Sequence, residues 1–208
     1  LWLLYRPPAP LPAPQAAVLG LPRRELVLTL VAAACWGLYN AGYIVYLSFA
    51  PRVLESGGYA PAQAAAVISL ASWAMIVSGA VGGRIPDRSG RGATLYYLCT
   101  VVGIAALLLL PHTGLAIGLS VVYGLAGGAP AGVIMALTGE AMAPQRRAFG
   151  MGVFFSLYFL LLTLGPPLAG WLYDLSHDPF VPIQFAVLLF VGAALCFMAF
   201  GLLRRRWR

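Results

Sequence analysis

The chain has 208 residues, of which 61% are hydrophobic and 9% charged. A water-soluble domain carries about 25% charged residues, so this composition excludes a soluble globule and calls for a surface that meets lipid. The net charge of +7 comes from arginines, with no lysine in the chain; their short clusters between apolar runs fit membrane anchoring rather than nucleic-acid binding.

A helix needs about 20 predominantly apolar residues to cross a bilayer. Residues 1–24 hold a five-residue apolar piece, Leu1 to Tyr5, then Arg6 and a Pro/Ala-rich stretch from Pro7 to Pro14. They are expected to be the end of a preceding membrane helix plus a cytoplasmic linker, since the order of a signal peptide is missing. Residues 25–208 read as a six-helix transmembrane domain with spans at about 26–50, 62–82, 94–111, 114–138, 149–173 and 182–203. None of these windows contains Asp, Glu, Lys or Arg. The fold class is therefore all-α, a polytopic bundle of six transmembrane helices.

The arginines set an expected orientation. Arg23 and Arg24 precede the first span, Arg84, Arg88 and Arg91 follow the second, Arg146 and Arg147 follow the fourth, and Arg204, Arg205, Arg206 and Arg208 follow the sixth. The opposite side has Arg52 alone, with Glu55, His112, Asp174, His177 and Asp178. Positive-inside bias places both termini of this chain in the cytoplasm. Cys35, Cys99 and Cys196 stand far apart in apolar runs, which gives neither a disulfide framework nor metal spacing. No cofactor is expected.

Spans one, four and five carry features beyond hydrophobicity. In span four, Gly124, Gly128 and Gly132 recur at steps of four, a spacing that lets helix backbones approach closely. Pro130 removes a backbone hydrogen bond there and makes a bend possible, and Pro166-Pro167 could do the same in span five. In span one, Trp36, Tyr39, Asn40 and Tyr43 fall largely on one helical face. An amide near mid-span is costly to leave facing lipid, so Asn40 either binds a solute or bonds to a neighbouring helix.

Between spans two and three the sequence runs Gly83-Arg84-Ile85-Pro86-Asp87-Arg88-Ser89-Gly90-Arg91-Gly92. This G-x-x-x-D-R-x-G-R pattern resembles the cytoplasmic signature loop of the major facilitator superfamily, which lies between the second and third helices of each six-helix half. A second match is Glu140-x-x-x-Pro144-x-Arg146-Arg147 between spans four and five. A third, Gly165-Pro166-Pro167-Leu168-Ala169-Gly170, is similar to the family's GPxLxG in its eleventh helix. The helix spacing extends the resemblance over nearly the whole chain. Gly92 stands where the family often has a basic residue, and Pro86 where it has a small one, so the loop departs in shape.

The resemblance implies the C-terminal half of a twelve-helix secondary transporter that moves a small-molecule substrate by alternating access, partnered by an N-terminal six-helix half of the same protein; the lysine-free arginine usage points to a GC-rich genome, so a bacterial inner membrane is the expected location. It implies a substrate site lined by Trp36, Tyr39, Asn40 and Tyr43 of span one and Tyr123 of span four, with Trp73 and Tyr158 from the sides. It implies a gating cluster of Gly83, Asp87, Arg88, Gly90, Arg91, Glu140 and Arg147, in which arginines and carboxylates latch helix ends in one state and release them in another. An intramembrane enzyme is not expected: neither histidine lies in a span, and Ser78-Gly79 lacks the G-x-S-G arrangement of membrane serine proteases. A phosphate-binding G-x-x-x-x-G-K-[ST] loop is also missing. A self-contained six-helix scaffold or channel subunit is the alternative reading.

Overall fold

The computed structural model describes residues 20–82 and 91–207. In so apolar a chain each backbone N–H and C=O has to be satisfied within its own segment, and the α-helix does this without water. The described residues form α1 (Arg23–Ser56), α2 (Pro61–Gly82), α3 (Gly92–Leu108), α4 (Ala116–Gly128), α5 (Ala131–Ala141), α6 (Arg147–Ser176) and α7 (Val181–Arg206). Single 3-10 turns at Thr113–Leu115 and Pro144–Arg146 lead into α4 and α6. No strand occurs among the described residues, so the fold is an all-α membrane bundle.

Five helical stretches are long and apolar enough to cross a membrane, with α4 and α5 forming one stretch, Ala116–Ala141. The other helix, α3, has 17 residues; its rise of roughly 26 Å falls slightly short of a hydrocarbon core about 30 Å thick, and the apolar Leu109 and Leu110 follow it directly. At 34 and 30 residues, α1 and α6 overrun the charge-free windows. Their extra turns carry Glu25, Arg52, Glu55 and Asp174, which puts the charges at the helix ends where water is near.

The hub is α1. It packs most extensively on α7 and α6 and also touches α5 and α2, while α2 lies chiefly along α4. Two glycines explain how close α2 and α4 come. A Cβ on Gly124 would stand 2.1 Å from the carbonyl oxygen of Ala71, and one on Gly128 would stand 2.2 Å from Ser78 Oγ. No side chain fits in either gap, so the two backbones meet directly, as small residues at four-residue steps permit. Gly132, the third residue of that series, is exposed. The Ser78 hydroxyl bridges the same interface by donating to the Gly124 carbonyl at 3.2 Å.

The prolines behave differently from one another. Pro130 separates α4 from α5, with Ala129 and Pro130 outside both helices. Pro166 and Pro167, which could bend span five, sit inside α6 without interrupting it. Each proline removes one helical hydrogen bond, and in α6 the remaining ladder carries the helix through. Arg204, Arg205 and Arg206 close the last turn of α7, where positive charge opposes the negative end of the helix dipole.

Candidate functional site

The lane Trp36, Asn40, Tyr43 and Leu47 runs along the middle of α1 at steps of four, three and four, and all four residues are half-buried. The adjoining lanes are covered: Cys35, Gly37, Tyr39, Ala41, Gly42, Val45 and Tyr46 are buried. The lane is only partly covered by the other helices, as are Val31, Ala34, Leu38 and Ile44 of α1, and its aromatic and amide side chains set it apart from those. One flank is α2, where Ser72 Oγ lies 3.0 Å from the Tyr43 hydroxyl. The other flank is α6, where the Tyr158 ring stacks near Trp36 at 6.4 Å and 21°. Phe155 and Phe159 extend this aromatic wall with ring centroids 6.0 and 4.8 Å from Tyr158.

Asn40 sits at the centre of the lane. Its Nδ2 donates to the Trp36 carbonyl at 2.9 Å, one turn back on the same helix. Its Oδ1 has no partner among the described residues. An amide acceptor left free at mid-helix, between two aromatic rings, is equipped to receive one hydrogen bond from a flat polar solute.

Tyr39 and Tyr123 lie behind the lane instead of on it. Tyr39 is 5% exposed and Tyr123 3%. The Tyr39 hydroxyl donates to the Gly127 carbonyl at 2.7 Å, and its ring meets Phe190 edge-on at 5.1 Å. The Tyr123 ring packs on Tyr46 at 4.2 Å and on Phe190 at 6.2 Å. Beside them is a void of about 10 Å³ for the centre of a water molecule, bounded by Tyr39, Thr100, Gly103, Tyr123 and Phe190 among others. That is room for roughly one water. Among the described residues the buried Tyr123 hydroxyl has no hydrogen-bond partner.

Trp73 points outward from α2 with 70% of its surface uncovered, and among the described residues it has no ring partner. The structure therefore joins Trp36, Asn40, Tyr43 and Tyr158 along one strip and leaves Trp73, Tyr39 and Tyr123 off it.

At the arginine-rich end, Gly83, Asp87, Arg88 and Gly90 lie outside the described residues. Arg91 immediately precedes α3, and Arg147 begins α6 with its side chain exposed. Glu140, at the end of α5, pairs with Arg204 of α7. A second ion pair joins Arg146 Nη1 to Glu25 Oε1 at 2.9 Å, with the glutamate side chain 13% exposed. Sequence reasoning missed Glu25, Arg146 and Arg204 as pairing residues. The Glu140-x-x-x-Pro144-x-Arg146-Arg147 motif pointed at the right turn, but it could not show which of two adjacent arginines reaches a carboxylate 121 positions away. Among the described residues no group of His, Cys, Asp and Glu is arranged to hold a metal.

The sequence model of the Major Facilitator Superfamily matches residues 26–207, nearly all of this bundle. The chain belongs to that superfamily. It is 28% identical over 163 residues to a 2-nitroimidazole transporter of Escherichia coli strain K12, a match covering 74% of this chain and 39% of that protein. It is 31% identical over 129 residues to monocarboxylate transporter 12 of Xenopus laevis, covering 59% of this chain and 28% of that protein. The matched stretch thus spans well under half the length of these curated relatives. Superfamily membership and the apolar helices together make this a multi-pass membrane protein.

Proposed function

We propose that this chain is the C-terminal half of a secondary transporter that moves a small solute by alternating access, rocking against an N-terminal six-helix half. The observation that carries this reading is the half-buried lane Trp36, Asn40, Tyr43 and Leu47. It lies at mid-helix, is flanked by α2 and α6, and holds a free amide acceptor between aromatic rings. Sites of secondary transporters lie near the bilayer midplane between their repeats, and such a lane is what one repeat would contribute.

The chemistry of the lane narrows the solute. Its side chains are two aromatic rings, an amide and an aliphatic group, with a third ring from Tyr158 and no charge. Nothing on it would neutralise a carboxylate. A planar, uncharged, weakly polar aromatic compound fits better, which is nearer to what the first relative is named for than to what the second is named for. Tyr39 and Tyr123 act from outside the strip by holding α1 in place, and Trp73 stands exposed on α2.

Both termini of the chain are cytoplasmic on the positive-inside argument, and the lysine-free arginine usage favours a bacterial inner membrane. There the signature loop with Asp87, Arg88 and Arg91 acts with Glu140 and Arg147 as a latch. The pairs Glu140–Arg204 and Glu25–Arg146 hold helix ends together in the conformation seen here.

The test is uptake of radiolabelled 2-nitroimidazole by the full-length protein in proteoliposomes, with Asn40→Ala and Trp36→Ala as probes. Asn40→Ala is expected to raise KM about 5- to 30-fold, the loss of one hydrogen bond of about 1–2 kcal/mol, with the protein still folded. Wild-type kinetics in both variants would overturn the lane as the site.

A further inference from the structure

We infer that the arginine-rich end of the bundle carries a binding site for a phosphate-bearing anion, filled by the headgroup of an anionic glycerophospholipid. The start of α1 and the end of α7 enclose a cleft of about 320 Å³ lined by Arg23, Arg24, Leu203, Arg206 and Trp207. Three arginines line this space. At this end the two described carboxylates, Glu25 and Glu140, are taken by Arg146 and Arg204. Arg23, Arg24 and Arg206 consequently have no ion pair among the described residues. Like charges gathered in one cleft repel unless an anion joins them, and guanidinium forks match phosphate oxygens in geometry.

The far wall of the cleft is apolar, since Leu203 and Trp207 pack onto the hydrophobic core. From the cleft a continuous apolar track leads along α7. Leu188, Val191, Leu195, Met198 and Leu202 are 66%, 40%, 55%, 49% and 59% exposed. Their three- and four-residue steps put them on one helical lane, and the next step of four from Leu202 is Arg206. A ligand with a phosphate head and a hydrocarbon tail meets both parts of this surface, whereas a free phosphate ester uses only the first. A basic pocket at a helix end, near the headgroup level, is the setting in which acidic lipids are held.

Native mass spectrometry of the full-length protein, titrated with phosphatidylglycerol or phosphatidylcholine, tests the site. Wild type is expected to retain phosphatidylglycerol in preference to phosphatidylcholine. The triple variant Arg23→Gln, Arg24→Gln, Arg206→Gln is expected to bind phosphatidylglycerol roughly a hundredfold more weakly, about fivefold per arginine. Arg205→Gln removes the same charge one position away, outside the cleft, and is expected to leave retention unchanged. Arg206→Gln alone serves if the triple variant misfolds, with a loss of about fivefold. Glycerol phosphate at millimolar concentration is expected not to displace the lipid; equal displacement would assign the site to soluble phosphate esters and overturn the lipid. Retention that is the same in wild type and Arg206→Gln, or that falls as far in Arg205→Gln, would overturn the site itself.

Discussion

The Tyr39 hydroxyl of α1 donates a 2.7 Å hydrogen bond to the carbonyl of Gly127, one residue before the end of α4. The place matters. In an unbroken helix the Gly127 carbonyl would accept from the N–H of residue 131, but the chain leaves the helix at Ala129 and Pro130. Tyr39 therefore supplies a donor where the break frees an acceptor, and it ties the break to the helix that bears the candidate site. Such cross-helix bonds are worth about 0.6–2 kcal/mol in membrane proteins. Tyr39→Phe is expected to destabilise the full-length protein by that amount, read as the midpoint of denaturation in detergent. An unchanged midpoint would show that the bond carries no weight.

The α2–α4 contact gives a sharper contrast. Gly124→Ala would place a Cβ 2.1 Å from a backbone oxygen that cannot swing aside. Overpacking of this kind typically costs about 1–3 kcal/mol, so a drop in melting temperature and poorer folded yield are expected. Gly118, on the same helix, has nothing within 4 Å of its would-be Cβ. Gly118→Ala is expected to be neutral or slightly stabilising. Equal effects of the two substitutions would mean that α2 and α4 are not in backbone contact.

These particulars show what could be read from the sequence. The helices fall on charge-free runs because a span has to exclude charge, and the arginines collect at one end because topology requires it. The buried and half-buried faces of α1 were not legible. A helix that is apolar all round has no polar side to mark them, and tyrosine serves equally at a buried contact and at a site. Tyr39 and Tyr43 therefore look alike, though one donates to a carbonyl in the core and the other stands in the half-buried lane. The partner of Glu140 was hidden for a different reason. Arg204 lies 64 positions away in a run of three arginines, and only the fold selects among them.

The two ion pairs are expected to differ in strength. Arg146–Glu25 has the glutamate 13% exposed, whereas in Arg204–Glu140 both side chains are more than a third exposed. Exposed pairs contribute about 0–1 kcal/mol because water screens them, and burial raises both the attraction and the penalty for breaking it. Double-mutant cycles with Glu→Gln and Arg→Gln, read as unfolding midpoints at low and at 1 M salt, are expected to give the larger coupling for Glu25–Arg146. The Glu140–Arg204 coupling is expected to fade with salt. A larger coupling for the exposed pair would reverse this ranking.

Pro130 provides the last prediction, and it bears on mechanism. Replacing it by alanine restores an N–H able to bond the Ala126 carbonyl, and α4 and α5 gain a reason to join. Once they join, the N–H of residue 131 competes with Tyr39 for the Gly127 carbonyl. Pro130→Ala is therefore expected to preserve or raise stability, and to make a following Tyr39→Phe substitution cheaper than it is in the wild type. The two changes should show a coupling of about 0.5 kcal/mol or more, as residues sharing one partner do. If the break is used as a hinge during transport, Pro130→Ala also slows uptake while leaving KM in place, because the lane on α1 is untouched. Strict additivity of the two substitutions in stability would show that the tyrosine and the proline act independently.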